Sequence, residues 1–454
     1  MASSALTVDH VLHQLLPLAT APHWWVAYSG GLDSTVLLHL LVNARRINPG
    51  LPALTALHVH HQLQAEADSW LAHCKQQCEG LGVNFDAQRV AVAVQGRGLE
   101  AAARDARQAV FANRLGQGEV LLTGHHQDDQ VETFFLRLLR GAGVEGLGAM
   151  AASRPLGEGQ LHRPLLEFPR EQLLAYARLY NLSWIEDPSN RDTDLDRNYL
   201  RSRVLPMLAE RWPGYRATVS RAALEQQAAA HALAEDLPPI TTLHNRFGDP
   251  GLPLDDVLEQ GDAQAARLLR RWLRQQGLRA PDRASLLEFL RQLGQAAADR
   301  EPRLVVDGAV FQRFLGELYR LPATPDWRAA EGLELGAGNP LTHPGLGRLS
   351  LVPAGEGEPG IVLAPEERLT LRFRRGGERC RLASREGSHS LKKLLQEAAV
   401  PPWWRERLPL LYRGEELLAV ADCWYCSGDV EEGHRASRKR WQVRWERNSA
   451  TAAD

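Results

Sequence analysis

Residues 24–35 read WWVAYSGGLDST, a run suited to a buried strand that stops at paired glycines and restarts as the helical TVLLHLLVNA. Gly30 and Gly31 let the backbone curl around an anion, Ser29 and Ser34 bring hydroxyl donors, and the helix behind Leu32 aims its free N–H groups at the same point. The pattern Ser29, Gly30, Gly31, Leu32, Asp33, Ser34 is therefore a pyrophosphate cradle. It is not a Walker A loop: Gly-x4-Gly-Lys-Ser/Thr is absent, which argues against ordinary γ-phosphoryl transfer. Asp33 would repel phosphate unless it held a Mg²⁺ bridging to the nucleotide. A plain glycine turn with Ser34 as helix cap would account for the same residues without any ligand.

Up to about residue 215, apolar runs such as LTALHVHH and EVLLTGH alternate with stretches of helical period, which predicts an α/β fold with a parallel sheet, and the phosphate loop inside it makes residues 1–215 the expected nucleotide-binding, catalytic domain. Residues 216–325, rich in Ala, Leu, Arg and Gln, predict a mainly helical domain with one Asp-Gly hairpin turn in RLVVDGAVFQRF. Residues 326–365 are Gly/Pro-rich, a linker or a set of short strands, and residues 366–447 predict a small α+β domain. In 454 residues, 44% of them hydrophobic, there is enough apolar surface for several cores, so disorder is excluded. No basic leader precedes an apolar run, and no stretch of about 18 apolar residues lacks a charge. Five cysteines are too few for a secreted disulfide framework, so the expectation is a soluble, cytoplasmic protein with reduced thiols and no membrane contact. The lone Cys423-x-x-Cys426 lacks a second ligand pair for zinc. The net charge of −2 hides an asymmetry: residues 366–447 carry 18 Lys+Arg against 13 Asp+Glu, as a module that binds a polyanion would.

After EVLLTG comes HHQDDQVETFFLRLLR. His125, Asp128, Asp129 and Glu132, at i, i+3, i+4 and i+7, share one helical face, apart from the stripe of Val131, Phe134, Phe135 and Leu138. Three carboxylates and an imidazole at the C-terminal edge of a parallel sheet suit a cationic substrate or a metal. Complementing the helix dipole would explain Asp128 and Asp129 as well, and Glu132 less well. Upstream, Glu100, Arg104 and Arg107 lie on one helical face, where an arginine can pair with Glu100 or clamp a phosphate.

SGGLDS after the first strand resembles the PP-loop ATP pyrophosphatases. Taken with HVHHQL, LEAAARDAR, TGHHQDDQVETFFLRLLRGAGVEGLGAM, RPLLEFPREQL, WIEDPSNRD, RNYLRSRVLP and the later RFRRGGERCRL and SLKKLLQEAAVPPWWRERLPLLY, the order resembles the tRNA(Ile)-lysidine synthetase family over most of the chain. His60 and Gln64 depart from that family's usual H-V-N-H-x-L-R, and the tail after Gly433 is unmatched. The resemblance implies an ATP-dependent ligase that joins free L-lysine to the wobble cytidine of an isoleucine tRNA with a CAU anticodon. It implies ATP and Mg²⁺ at Ser29–Ser34, Asp33 as metal holder, and His125 beside the nucleotide. Asp128, Asp129 and Glu132 would receive lysine, with Asp33, Asp129, Glu132 and Arg104 as the catalytic set and Arg197 and Arg201 on phosphate or tRNA. A homodimer is compatible with it. A PP-loop tRNA thiolase would need cysteines that the first domain does not space suitably, and a non-catalytic nucleotide sensor would need no acidic face.

Two basic groups could track RNA phosphates: Arg267, Arg270, Arg271 and Arg274 along one helix, and Lys392, Lys393, Arg405 and Arg407 beside Trp403 and Trp404. A solvated helix face, and tryptophans packed under a sheet, are the structural alternatives. RASRKRWQVRWER reads as an edge strand with Trp441, Val443 and Trp445 on one side.

Overall fold

The computed structural model describes residues 5–61, 66–91, 99–295, 302–322, 326–382, 385, 387–426 and 439–447. They form two compact units, Met1–Asp236 and Leu237–Asp454. Gln64 and the tail at 427–438 lie outside the described residues, as does the side chain of Glu100.

In the first unit strands and helices alternate. In chain order they are α1 (Val8–Leu15), β1 (Trp24–Ala27), α2 (Leu32–Ile47), β2 (Leu54–His60), α3 (Ala67–Leu81), β3 (Asn84–Arg89), α4 (Leu99–Arg114), β4 (Val120–Leu122), α5 (Gln127–Leu139), α6 (Val144–Leu147), β5 (Ser153–Leu156), β6 (Gly159–His162), α7 (Arg170–Leu179), α8 (Asp196–Tyr199), α9 (Leu205–Arg211) and α10 (Tyr215–Glu235). The sheet order is β3-β2-β1-β4-β6-β5, parallel throughout except for β5. The central strands are covered on both faces, which is why they read as unbroken apolar runs. Trp24 and Val26 pack with Val11, Leu15, Val36 and Leu40 on one side, while Leu57 and Leu121 meet Phe111 on the other. From β1 the chain winds outward through β2 and β3, then returns to lay β4 on the opposite side of β1. That reversal leaves a crevice at the C-terminal ends of β1 and β4, where open α/β sheets bind ligands.

The second unit departs from the expected mainly helical region. It contains β7 (Leu243–His244), β8 (Pro250–Pro253), α11 (Leu254–Leu258), α12 (Asp262–Gln275), α13 (Arg283–Gln295), β9 (Arg303–Val306), β10 (Ala309–Phe314) and β11 (Glu317–Arg320). These strands make a five-stranded sheet, β7-β8-β11-β10-β9, with antiparallel pairing, over which α12 buries Leu268, Leu269 and Trp272. The expectation missed it because the pieces are short and one of them, Pro-Gly-Leu-Pro, carries no period-two signal. The Asp-Gly hairpin does form: Asp307 and Gly308 take φ of 47° and 81°, the left-handed pair that a two-residue turn requires.

Residues 326–365 are strands rather than a linker: β12 (Glu334–Gly336), β13 (Leu341–His343), β14 (Gly347–Pro353) and β15 (Ile361–Leu363). They join β16 (Arg368–Arg372), β17 (Arg379–Cys380), β18 (His389–Ser390), α14 (Leu391–Glu397), α15 (Pro402–Arg405), β19 (Leu410–Arg413), β20 (Glu416–Val420), β21 (Trp424–Tyr425) and β22 (Lys439–Glu446). Because β12 pairs with β16 and β14 with β22, one core runs from Phe247 and Ala330 to Trp445. The expected edge strand is β22, and it lies inside its sheet, between β14 and β15. Val443 and Trp445 are buried on one face as expected. Cys380 is bonded to Cys426, which corrects the expectation of five reduced thiols; Cys74, Cys78 and Cys423 are free. Among the described residues no helix is long and apolar enough to cross a membrane.

Candidate active site

The loop after β1 is held open by its own hydrogen bonds. Ser34 Oγ donates to the Gly31 carbonyl at 3.0 Å and lies 3.1 Å from Ser29 Oγ, while Thr35 Oγ1 donates to the Gly30 carbonyl at 3.3 Å. Gly31 caps α2 without a side chain, so the first-turn N–H groups of the helix face the crevice. Glycine is required at position 30: its φ is +82°, and a Cβ there would come within 2.7 Å of Cys74 Sγ and Ile185 Cδ1. Ile185, from the WIEDPSN segment, donates its N–H to the Gly30 carbonyl at 2.9 Å and so braces the loop from behind. Gly124, just past β4, runs so close to α2 that a Cβ would lie 2.9 Å from the Asp33 backbone.

Asp33 projects from the first turn of α2. Its Oδ2 is 3.5 Å from His126 Nε2, and its Oδ1 makes no hydrogen bond but lies 3.9 Å from Arg170 Nε. His126 is fully buried at the N-cap of α5, where its N–H donates to Asp129 Oδ2 at 3.1 Å and its Nε2 lies 3.4 Å from the same oxygen. Burial opposes charge on this imidazole, but Asp129, Asp33 and Asp128 together push its pKa up. Its Nδ1 is reached by the Asp129 N–H at 3.4 Å, a long contact that needs an unprotonated nitrogen. Protonation exchanges that cap for an approach to Asp128 Oδ2 at 3.9 Å. Asp129 is likewise opposed by burial yet lowered by His126, Arg197 and His125. His125 bonds Thr123 Oγ1 through Nδ1 at 2.8 Å, and burial pushes it down to about 4, so it is neutral at pH 7.

The three carboxylates do converge, and each has guanidinium company. Glu132 has no exposed surface and accepts from Arg197 Nε at 2.9 Å and from Arg201 Nε at 2.6 Å. Asp129 lies 3.4 Å from Arg201 Nη2. Asp128 accepts from Arg216 Nε of α10 at 2.6 Å and from the Arg170 backbone N–H of α7 at 2.8 Å, so it ties three helices together. Arg201 sits in a π-turn over Leu200–Val204 between α8 and α9, a widened turn of the kind often found where a helix re-aims a functional side chain. Thus Arg197 and Arg201, expected to face phosphate or tRNA, lie against the acidic face instead. His126 was missed in the sequence; its one signal is its place immediately before an acidic helix, where a side chain caps. Arg104 is exposed on α4.

In the second unit, Arg267, Arg270, Arg271 and Arg274 lie off the buried face of α12; Arg271 is half-buried and donates to the Pro238 carbonyl. Lys392 and Lys393 are exposed on α14, the latter 3.8 Å from Glu397. Arg405 Nε donates to the Val400 carbonyl at 2.8 Å, and burial pushes the half-buried Arg407 down. Trp403 and Trp404 are not an open stacking surface: both indoles donate to the buried Asp249, at 2.8 and 2.6 Å, and Trp404 stacks on Phe247.

A parallel sheet whose first strand ends in S-G-G-x-D-S at the switch point defines a PP-loop ATP-binding domain, and residues 4–208 match the PP-loop domain family. Residues 252–319 match the TilS substrate binding domain and 369–445 the TilS substrate C-terminal domain. The chain is 46% identical to the tRNA(Ile)-lysidine synthase of Alkalilimnicola ehrlichii over 423 residues, 92% of this chain and 93% of that protein. It is 45% identical to the enzyme of the same name from Pseudomonas aeruginosa over 443 residues, covering 94% and 96%. The chain belongs to the tRNA(Ile)-lysidine synthase family. Among solved structures, the U34-tRNA thiolase NcsA from Methanococcus maripaludis aligns at 16% identity and a TM-score of 0.41 over 52% of this chain and 81% of that one, too distant to carry an argument.

Proposed function

We propose that the protein ligates free L-lysine to C2 of the wobble cytidine of isoleucine tRNA with a CAU anticodon, in two steps and in the cytoplasm. Cytosine O2 attacks the α-phosphorus of ATP and expels pyrophosphate; the lysine ε-ammonium gives up a proton to water, the resulting amine attacks C2, and O2 departs with AMP. The first step makes a poor leaving group into a good one. The observation that carries the reading is the shared crevice: the phosphate loop of β1 and the acidic helix after β4 meet through Asp33, His126 and Asp129.

Ser29, Gly30, Gly31, Leu32 and Ser34, with the α2 N-terminus, bind the departing pyrophosphate and stabilise its charge. Asp33 Oδ1 has no hydrogen bond and only a 3.9 Å ion-pair approach from Arg170 Nε, so it suits a Mg²⁺ that draws its remaining ligands from the triphosphate and water. Among the described residues no group of three or more His, Cys, Asp or Glu is arranged to hold a metal by itself, which fits a cation shared with substrate. Bound there, Mg²⁺ would neutralise charge on the phosphates.

Asp129 receives the α-ammonium of lysine, the group that does not react. Its lowered pKa keeps it charged and makes it a poor proton acceptor, so its role is attraction and orientation. Glu132 sets the positions of Arg197 and Arg201, and Asp128 fixes α5 against α7 and α10; both act on lysine through the shape of the acidic face. Neutral His125 borders the nucleotide, and Arg104 reaches RNA or phosphate. Residues 1–215 with α10 form the catalytic part. Arg267, Arg270 and Arg274 of 216–325, and Lys392 and Lys393 of 366–447, supply cationic surface for tRNA. Arg271 and Arg405 are engaged with backbone carbonyls and Arg407 is lowered by burial, so these three contribute less.

Incubating the full chain with ATP, transcript isoleucine tRNA and labelled lysine tests the proposal. Label must enter RNA, only with ATP, and a methionine tRNA with the same anticodon must stay unlabelled.

A further inference from the structure

Past β4, on the side of the sheet carried by β6 and β5, arginines gather that the reaction above leaves unused. Arg163 follows β6 directly and is only 7% exposed. Its Nη1 donates to the Ala151 carbonyl at 2.6 Å, and its Nε is buried with no hydrogen-bond partner among the described residues. Arg137, in the last turn of α5, donates to the carbonyls of Gly146 at 2.9 Å and Ala149 at 2.6 Å. The two guanidiniums therefore end on one short segment, at carbonyls two residues apart. Arg154 of β5 donates to Gln108, which stands one helical turn beyond Arg104 on the same face of α4. These acceptors are all uncharged.

Each of the three half-buried or buried guanidiniums is lowered, first by burial and then by like charge. Arg104 acts on all three, and Arg163, which also feels Arg154 and Arg137, is pushed down to about 10. Gathering cations on neutral partners is unfavourable, and a bound anion reverses the sign of that interaction. Planar forks on several elements suit a phosphate. The cluster borders the active site, since the charges of both Arg163 and Arg197 act on His125, in the loop after β4.

We propose that Arg137, Arg154 and Arg163, with Arg104 on their open side, cradle an RNA backbone phosphodiester beside the target cytidine. Held there, the backbone stays fixed while the base turns out of its stack toward the phosphate loop, as enzymes that act on a base require. The triphosphate is not the anion: its donors are at the end of β1, two strand spacings or roughly 10 Å from β6. The assignment rests on the RNA-modifying reading above, and to Arg104 it adds Arg137, Arg154 and Arg163, to which that reading gives no work.

The test uses the full chain and two variants, Arg154→Gln on the outer strand and Arg163→Lys, which keeps the charge but loses the fork. Affinity for transcript isoleucine tRNA is measured against salt, beside the KM for ATP and the melting temperature. Arg154→Gln is expected to weaken tRNA binding about tenfold at low salt and to lower the slope of log K against log salt by about one. Arg163→Lys should keep the slope and raise the tRNA KM, with ATP unchanged in both. Unchanged tRNA affinity and slope overturn the cradle, whether or not stability falls, and so does a loss confined to ATP. If Arg163→Lys fails to fold, Arg154→Gln decides alone. Binding needs no lysine, so a wild-type chain that binds tRNA with these arginines but leaves lysine unincorporated refutes the ligase reading and not the cradle.

Discussion

Nε2 of His126 lies 3.5 Å from Oδ2 of Asp33, so a single imidazole links the loop that follows β4 to the first turn of α2. The linkage gives the first unit a defined pH response. Asp129, lowered, contributes stability that is complete above the ordinary carboxylate pKa and is lost as pH falls through its folded value. His126, raised, contributes stability that is complete below about 6.5 and is lost as pH rises through its folded value. The contribution is therefore greatest between about pH 4 and 6.5. Urea midpoints of the wild type minus those of His126→Gln, measured from pH 4 to 9, should shrink at the alkaline end. A difference that is flat with pH would show the imidazole to be neutral throughout.

Gly30→Ala puts a methyl where Cys74 Sγ and Ile185 Cδ1 already stand, at a backbone angle that alanine adopts only with a cost of about 1 kcal/mol or more. The loop should lose its shape before the domain unfolds. ATP affinity is expected to fall at least tenfold, read by nucleotide titration, with a smaller change in melting temperature.

Glu132→Gln removes the counter-charge of two arginines at a carboxylate that is itself fully buried. We expect a loss of roughly 2–3 kcal/mol, below the usual range for a broken buried pair because Arg197 and Arg201 stay partly exposed. Asp129→Asn should instead raise the lysine KM far more than the ATP KM. Urea denaturation and steady-state kinetics on both variants separate the two roles; a lysine KM unmoved by Asp129→Asn would remove that residue from substrate binding.

The parallel sheet and both site loops were legible because WWVAYSGGLDS and EVLLTGHHQDD couple an apolar run to a helix start, and buried parallel strands leave that signature. The carboxylates were legible as a set, but not their partners. Arg197, Arg201 and Arg216 lie 65 to 88 residues from the acids they meet, and helical period carries no information at that range. The second unit was misread for a related reason. Its strands are two to eight residues long and pair across long loops, so β14 meets β22 although the sequence between them looks like a linker and a separate domain. Trp403 and Trp404 looked like RNA-stacking residues until Asp249, some 154 positions away, appeared beneath them.

That pairing predicts where the chain can be cut. Removing residues 366–454 takes β16 from β12 and β22 from β14, leaving β14 only its short partner β13, and opens the core around Ala330 and Leu349, so the truncated chain should aggregate. Residues 1–236 contain the whole crevice and should remain soluble and bind ATP. Size-exclusion chromatography and nucleotide titration of both pieces check this.

Asp249→Ala leaves two indole N–H groups without their acceptor, at about 1–3 kcal/mol each. The second unit should be destabilised with a shift in tryptophan fluorescence, while ATP binding stays unchanged. Normal stability would mean that the two indoles find other partners.

The central claim is that the crevice joins the α-phosphate of ATP to the base before lysine arrives. The full chain, transcript isoleucine tRNA and ATP labelled at the α-phosphate, with lysine omitted, should yield RNA carrying labelled AMP, and unlabelled lysine should chase it to free AMP. Pyrophosphate release with no label ever on RNA, under conditions in which lysine is still incorporated, would contradict the account.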